Sequence, residues 1–110
     1  MNKEDFYILQ SEFCKTLSNP KRQKILDLLR TKEMTVSEIA KKTNISQANL
    51  SQHLSFLRTK GLVSTRRDGI HVYYFLSSPK IEKVFDLISE ILNDTLTSQA
   101  KTVKTATKLK

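Results

Sequence analysis

The chain has one cysteine, two glycines, two prolines and no tryptophan in 110 residues. A single thiol excludes an intrachain disulfide and a thiolate-rich zinc site. The four backbone breakers, Pro20, Gly61, Gly69 and Pro79, are too few for a sandwich or barrel, which needs a turn about every 8–12 residues. Long apolar runs are missing as well. The longest covers residues 72–76, against the roughly 20 residues that a membrane span requires. Residues 1–10 carry no basic stretch followed by an apolar one, so no membrane partner is expected and the expected location is cytoplasmic. What is present is charge, mostly of one sign: 19 Lys+Arg against 11 Asp+Glu, a net +8. A single basic, mainly helical domain is the expectation at this length.

That charge is uneven. Residues 39–79 hold Lys41, Lys42, Arg58, Lys60, Arg66 and Arg67 against one acid, Asp68. Residues 95–110 add four lysines and no acid, whereas residues 80–94 are slightly acidic. A basic middle third is the footprint of a nucleic-acid binder, although a lysine-rich solvated surface has the same composition.

Periodicity divides the chain into elements. Phe6, Leu9, Phe13 and Leu17 recur at helical spacing over residues 5–17. Asn19 then reads as an N-cap, with Pro20 at the first helical position, where its missing N–H costs nothing. Ile25, Leu28 and Leu29 form the buried stripe of that second helix. Thr35-Val36-Ser37-Glu38 has the capping-box pattern, opening a short helix that buries Val36, Ile39 and Ala40 and stops near Asn44. Ser46 caps the next. Two capped helices joined by a turn of three or four residues make a helix-turn-helix.

The helix over residues 47–60 has two unlike faces. Leu50, Leu54 and Leu57 form the core stripe. The opposite stripe is Ala48, Gln52, Ser55 and Thr59, flanked by Asn49 and Ser51. It holds amides and hydroxyls but no carboxylate. Gln and Asn pair bidentately with adenine in the major groove, Ser bonds several base edges, and Ala meets the thymine methyl. An ordinary solvated face in so lysine-rich a chain would carry Lys and Glu instead.

Gly61 suits the left-handed position that closes this helix. Residues 62–67 and 70–76 then alternate as strands, joined at Asp68-Gly69 by a two-residue turn. Arg66, Arg67 and His71 sit at or beside the tip. A helix-turn-helix followed by such a hairpin is a winged helix, whose tip reaches phosphates or a minor groove. Ser78-Pro79 opens a last helix in which Ile81, Val84, Ile88 and Ile91 follow a coiled-coil-like seam, with Phe85 and Leu92 beside it. This is more apolar surface than a small domain readily covers. With Phe6, Leu9 and Phe13 of the first helix it is read as a homodimer interface, the alternative being packing onto the sheet.

The expected fold is therefore mainly α with a small β-hairpin, a winged helix-turn-helix in the order αααα-ββ-α that dimerises through its first and last helices. Residues 1–96 form the DNA-binding domain. Residues 97–110, Thr, Lys and Ala without periodicity, form a basic tail expected to be frayed or disordered.

Several stretches in order resemble the ArsR/SmtB family of winged-helix repressors. They are Leu17-Ser18-Asn19-Pro20-Lys21-Arg22, Val36-Ser37-Glu38-Ile39-Ala40, Ile45-Ser46-Gln47-Ala48-Asn49-Leu50-Ser51-Gln52-His53-Leu54, Gly61-Leu62-Val63 and Tyr73-Tyr74-Phe75-Leu76. The resemblance runs from about Leu17 to Leu76. It implies a prokaryotic, nucleoid-associated homodimer that represses transcription from an imperfectly palindromic operator until an inducer relieves it. The family's metal sites do not carry over. Thr35-Val36-Ser37 stands where its thiolates would be, and Asp86, Glu90 and Asp94 on the last helix have no histidine beside them. No metal, cofactor or effector is assigned.

The expected DNA contacts are Gln47, Ala48, Asn49, Ser51 and Gln52 to bases, with Ser46, Arg66, Arg67 and His71 to the backbone. Cys14 reads either as a redox switch or as a small buried residue. No nucleophile, base and oxyanion constellation accompanies Cys14, His53 or His71, so no enzyme is expected. The rival to an operator-specific regulator is a winged-helix architectural or protein-assembly module without a defined operator.

Overall fold

A computed structural model describes residues 1–109 of the chain, with side chains as far as residue 100. The elements run α1 (Lys3–Thr16), α2 (Pro20–Leu29), α3 (Val36–Thr43), α4 (Gln47–Thr59), β1 (Val63–Asp68), β2 (His71–Leu76) and α5 (Pro79–Leu109). Met1–Pro79 is one compact unit, and Lys80–Lys110 is a second.

Side-chain caps set most helix starts. The Asn2 side chain accepts from the Asp5 N–H, which starts α1 two residues before the apolar stripe predicts. Asn19 accepts from the N–H groups of Lys21 and Arg22, with Pro20 in the first turn. Thr35 and Glu38 close a reciprocal capping box on α3. Such caps contribute about 1 kcal/mol each. The turn between α3 and α4 rests on Asn44, the one non-glycine residue at positive φ (61°) among the described residues, a conformation that Asn tolerates better than most side chains. On the α2 side, the Lys24 ammonium donates to the Thr43 carbonyl at 2.9 Å, satisfying an acceptor that the end of α3 leaves open.

The core of the first unit gathers Ile25 and Leu26 of α2, Ile39 of α3, Leu50, Leu54 and Leu57 of α4, Val63 of β1 and the connecting Met34, each almost wholly buried. Burying such side chains is worth about 1.5–3 kcal/mol apiece. Met34 is where the fold exceeds its sequence pattern. Its N–H and C=O exchange hydrogen bonds with Tyr74 (3.1 and 2.8 Å), making an isolated bridge beside β2. A single residue leaves no alternation to read, so periodicity cannot reveal this extra edge.

The hairpin is antiparallel, with Val63 opposite Leu76 and Asp68 opposite His71. This register makes Gly69-Ile70 the two-residue turn, correcting the expected Asp68-Gly69. Gly69 has φ +64° and Ile70 lies outside the positive-φ set. Only the first central residue is therefore left-handed, as in a type II′ turn, whereas the Asp-Gly signal implies two such residues. Ile70, expected as the first residue of a strand, is instead at the apex.

The second unit is the helix α5, which runs as one element to Leu109. It passes residue 97, where the apolar periodicity ends, without a break in the backbone. No Gly or Pro follows Pro79, and Lys and Ala are good helix formers. No helix among the described residues is long and apolar enough to cross a membrane.

Candidate nucleic-acid interface

The α3–α4 pair presents one side of α4 outward. Leu50, Leu54 and Leu57 are wholly buried, and that anchoring turns the opposite stripe to solvent. Ser46, Gln47, Ala48, Asn49, Ser51 and Gln52 are all exposed. The Ser46 oxygen accepts from the Asn49 N–H at 3.2 Å, so it caps the helix while its O–H stays available to donate. The free N–H groups and dipole of the helix start favour an anion there. Ser51, Gln52, Ser55, Phe56, Thr59 and Lys60 line an open groove along this face.

One flank of α4 is organised by a residue that periodicity does not single out. Arg22 of α2 lies over the Phe56 ring, its guanidinium carbon 4.5 Å from the centroid. Its Nε donates to the Thr16 carbonyl at 2.8 Å and a terminal nitrogen to the Lys15 carbonyl at 3.3 Å. The guanidinium thus joins the end of α1 to the side of α4. The Lys60 ammonium approaches the same ring at 5.7 Å. His53, half-buried nearby, has its pKa lowered by burial and then by the charges of Arg22 and Lys21. It is held toward the neutral form.

The wing carries its two arginines differently. Alternation along β1 puts Arg66 on one face, with Ser64, and Arg67 on the other, with Val63 and Thr65. Arg66 lies over the Tyr73 ring at 4.5 Å, and its Nε donates to the Glu33 carboxylate at 2.5 Å. That hydrogen bond raises the already high guanidinium pKa. Arg66, expected to contact DNA, is thus occupied by the protein's own carboxylate. Arg67 and His71 are exposed, with the His71 ring tilted against Tyr73 at 6.3 Å. Glu33 is 33 residues from Arg66, and no local pattern in the sequence links them. Stacking of Arg66 on Tyr73 follows from the hairpin register, once that register is known.

The apolar side chains expected at a dimer interface are divided between the two units. On α1, Phe6, Leu9 and Phe13 are exposed, at 54, 50 and 40%. On α5, Ile88, Ile91 and Leu92 are exposed, while Ile81, Val84 and Phe85 are half-buried. Cys14 is exposed rather than buried, in an open depression on α1 beside Tyr7, Gln10 and Ser11. The structure leaves Ser46, Gln47, Ala48, Asn49, Ser51 and Gln52 together on the solvent side of α4, with Leu50 turned into the core. It places Arg67 and His71 on the wing and Cys14 on α1.

Comparison with known proteins agrees with the fold. A family model described as bacterial regulatory protein, arsR family, matches residues 19–65, from the cap of α2 into β1. The nodulation protein NolR of Rhizobium meliloti is 48% identical over 82 residues, spanning 74% of this chain and 67% of NolR. The crystal structure of Mycobacterium tuberculosis Rv0081 superposes with a TM-score of 0.82 at 34% identity, covering 86% of this chain and 96% of that one. A homodimeric winged helix-turn-helix DNA-binding domain of Mycobacterium bovis Mb0332, described as a possible ArsR-family transcriptional regulator, superposes with a TM-score of 0.74 at 29% identity. It covers 86% of this chain and 89% of its own.

Proposed function

The chain belongs to the arsR family of bacterial regulatory proteins, DNA-binding transcriptional regulators rather than enzymes, and from that premise we propose how this member acts. It binds an imperfectly palindromic operator as a homodimer and represses by occupying it. Two copies of α4 about 34 Å apart enter successive major grooves. Gln47, Ala48, Asn49, Ser51 and Gln52 read base edges, while Ser46, Arg67 and His71 hold phosphates. The observation that carries this reading is the exposed stripe of α4, free of carboxylates and backed by three wholly buried leucines. A rigidly anchored helix presents its polar side chains in fixed geometry, which base readout requires.

Arg66 contributes less than its neighbour. To reach a phosphate it must release Glu33, trading one half-exposed ion pair for another, and such pairs are worth little. The dimer covers the apolar faces of α1 (Phe6, Leu9, Phe13) and of α5 (Ile81, Val84, Phe85, Ile88, Ile91, Leu92), each of which a second copy presents in turn. A regulator that acts on chromosomal DNA works in the cytoplasm, at the nucleoid.

Selection of duplexes from a random pool tests the reading. A recovered palindrome is expected. Gln52→Ala should weaken that duplex by ~1–3 kcal/mol and blur one position. Arg67→Ala should weaken all duplexes alike and flatten the salt slope by about 0.9 for each phosphate it no longer neutralises. If Gln52→Ala binds every duplex as the parent does, α4 does not read bases. Uniform, salt-labile coating without a palindrome would replace the operator by an architectural role.

A further inference from the structure

The apex of the wing holds an apolar side chain with nothing to pack on. Ile70 is 93% exposed, the most exposed large hydrophobic residue described. It occupies the second central position of the Gly69-Ile70 turn, a place where small polar residues serve the backbone better. Neither turn chemistry nor core packing therefore accounts for a β-branched hydrocarbon there. A lone exposed apolar residue is ordinary on a protein surface. This one differs in its place. It lies at the far end of a stiffened hairpin, next to exposed His71 and three residues from exposed Arg67.

Stiffness comes from one segment, Glu33-Met34, that grips the middle of the hairpin. Met34 bridges Tyr74 at mid-strand, and the adjacent Glu33 pairs with Arg66, which lies over Tyr73. The turn is bordered by Asp68 and His71, and the cation that draws this tip toward polyanionic backbone is the exposed Arg67 one position further along β1. The B-form minor groove, about 6 Å wide, admits a single branched side chain at such a tip. Its walls are the apolar faces of the sugars.

We propose that Ile70 is an apolar contact of the wing in the minor groove flanking each half-site, covered there by sugar walls and the edge of a base step. This rests on the DNA-binding reading above. It adds a sensitivity to minor-groove shape and to the ease of opening a base step, at positions that α4 does not touch. Asp68, on the far side of Gly69, carries the wrong charge for phosphate, so the apolar contact and Arg67 together must outweigh it.

The test compares full-length parent, Ile70→Ser and Arg67→Ala on a duplex recovered by selection, across a salt series. Ile70 is almost wholly exposed, so the serine variant should melt with the parent, which a thermal scan checks. Ile70→Ser is expected to weaken binding on the order of tenfold, as loss of a buried aliphatic side chain implies. Its salt slope should equal the parent's, because no counterion is released by an isoleucine. Replacing guanine by inosine in the flanking segment removes the minor-groove amino group, with one base-pair hydrogen bond, and leaves the major-groove edge unchanged. It should change the parent's affinity and leave Ile70→Ser unmoved. Ile70→Ser binding as tightly as the parent overturns the proposal and leaves the role of α4 intact, as does an equal response of both proteins to inosine. A parent that binds no duplex overturns both readings.

Discussion

α1 and α4 have the same kind of sequence and opposite fates. Each places large apolar residues three and four apart, Phe6, Leu9 and Phe13 on one and Leu50, Leu54 and Leu57 on the other. On α4 that stripe is wholly buried. On α1 the only buried residue is Thr16, at its end, and the aromatic and aliphatic side chains face outward. Periodicity establishes that a helix has an apolar face, and it does not say which surface covers it. In α4 the cover is the rest of the same chain. In α1 it is, on our reading, a second copy.

The largest effect should come from breaking the covered stripe. Leu54→Ala leaves a cavity among fully buried neighbours and is expected to cost about 2–5 kcal/mol of folding stability in chemical denaturation. A loss below about 1 kcal/mol would mean that the stripe is not the keel of the unit. The uncovered stripe should behave in the reverse way. Leu9→Glu places a charge on a surface that is exposed in the single chain, so it should barely alter the intrinsic stability of a monomer. It should instead weaken self-association on the order of a hundredfold, as hot-spot losses in interfaces do. Sedimentation over a concentration series reads this out. A dimer that persists unchanged would place the contact elsewhere than on α1.

His53 sharpens the contrast at the edge of the covered stripe, and its effect is the smallest. Its lowered pKa means that the unfolded chain binds the proton more readily than the folded one, so stability rises with pH across this titration. The contribution is level above the unfolded pKa of about 6.5 and declines as pH falls below it. His53→Gln should remove that decline, seen as a flatter melting temperature between about pH 7 and pH 5. A variant whose acid-side decline matches the parent's would show that other groups carry it.

The elements legible in the sequence are those made by neighbours. Asn19-Pro20, the Thr35–Glu38 box, Ser46 and Gly61 each act within four residues of themselves, and each is where local chemistry predicts. Asp68-Gly69 misled by one residue. The preference of that pair for a turn is real, yet cross-strand pairing of Asp68 with His71 shifted the apex to Gly69-Ile70. Met34 joined the sheet as a single residue, too short for any period. The candidate site was legible where it lies on one helix, from Ser46 to Gln52. It was illegible where it needed partners distant in the chain: Arg22 on Phe56, and Glu33 holding Arg66.

By itself the sequence determined the order of helices and hairpin, the boundaries set by caps and breakers, and the polar stripe opposite Leu50, Leu54 and Leu57. Those follow from hydrogen bonds and steric limits within a turn or two of the backbone. The tertiary structure alone decided which of two adjacent arginines is occupied, which residue crowns the wing, and which apolar faces one chain leaves uncovered. Those outcomes depend on residues tens of positions apart meeting in space, and only the packing of the core brings them together.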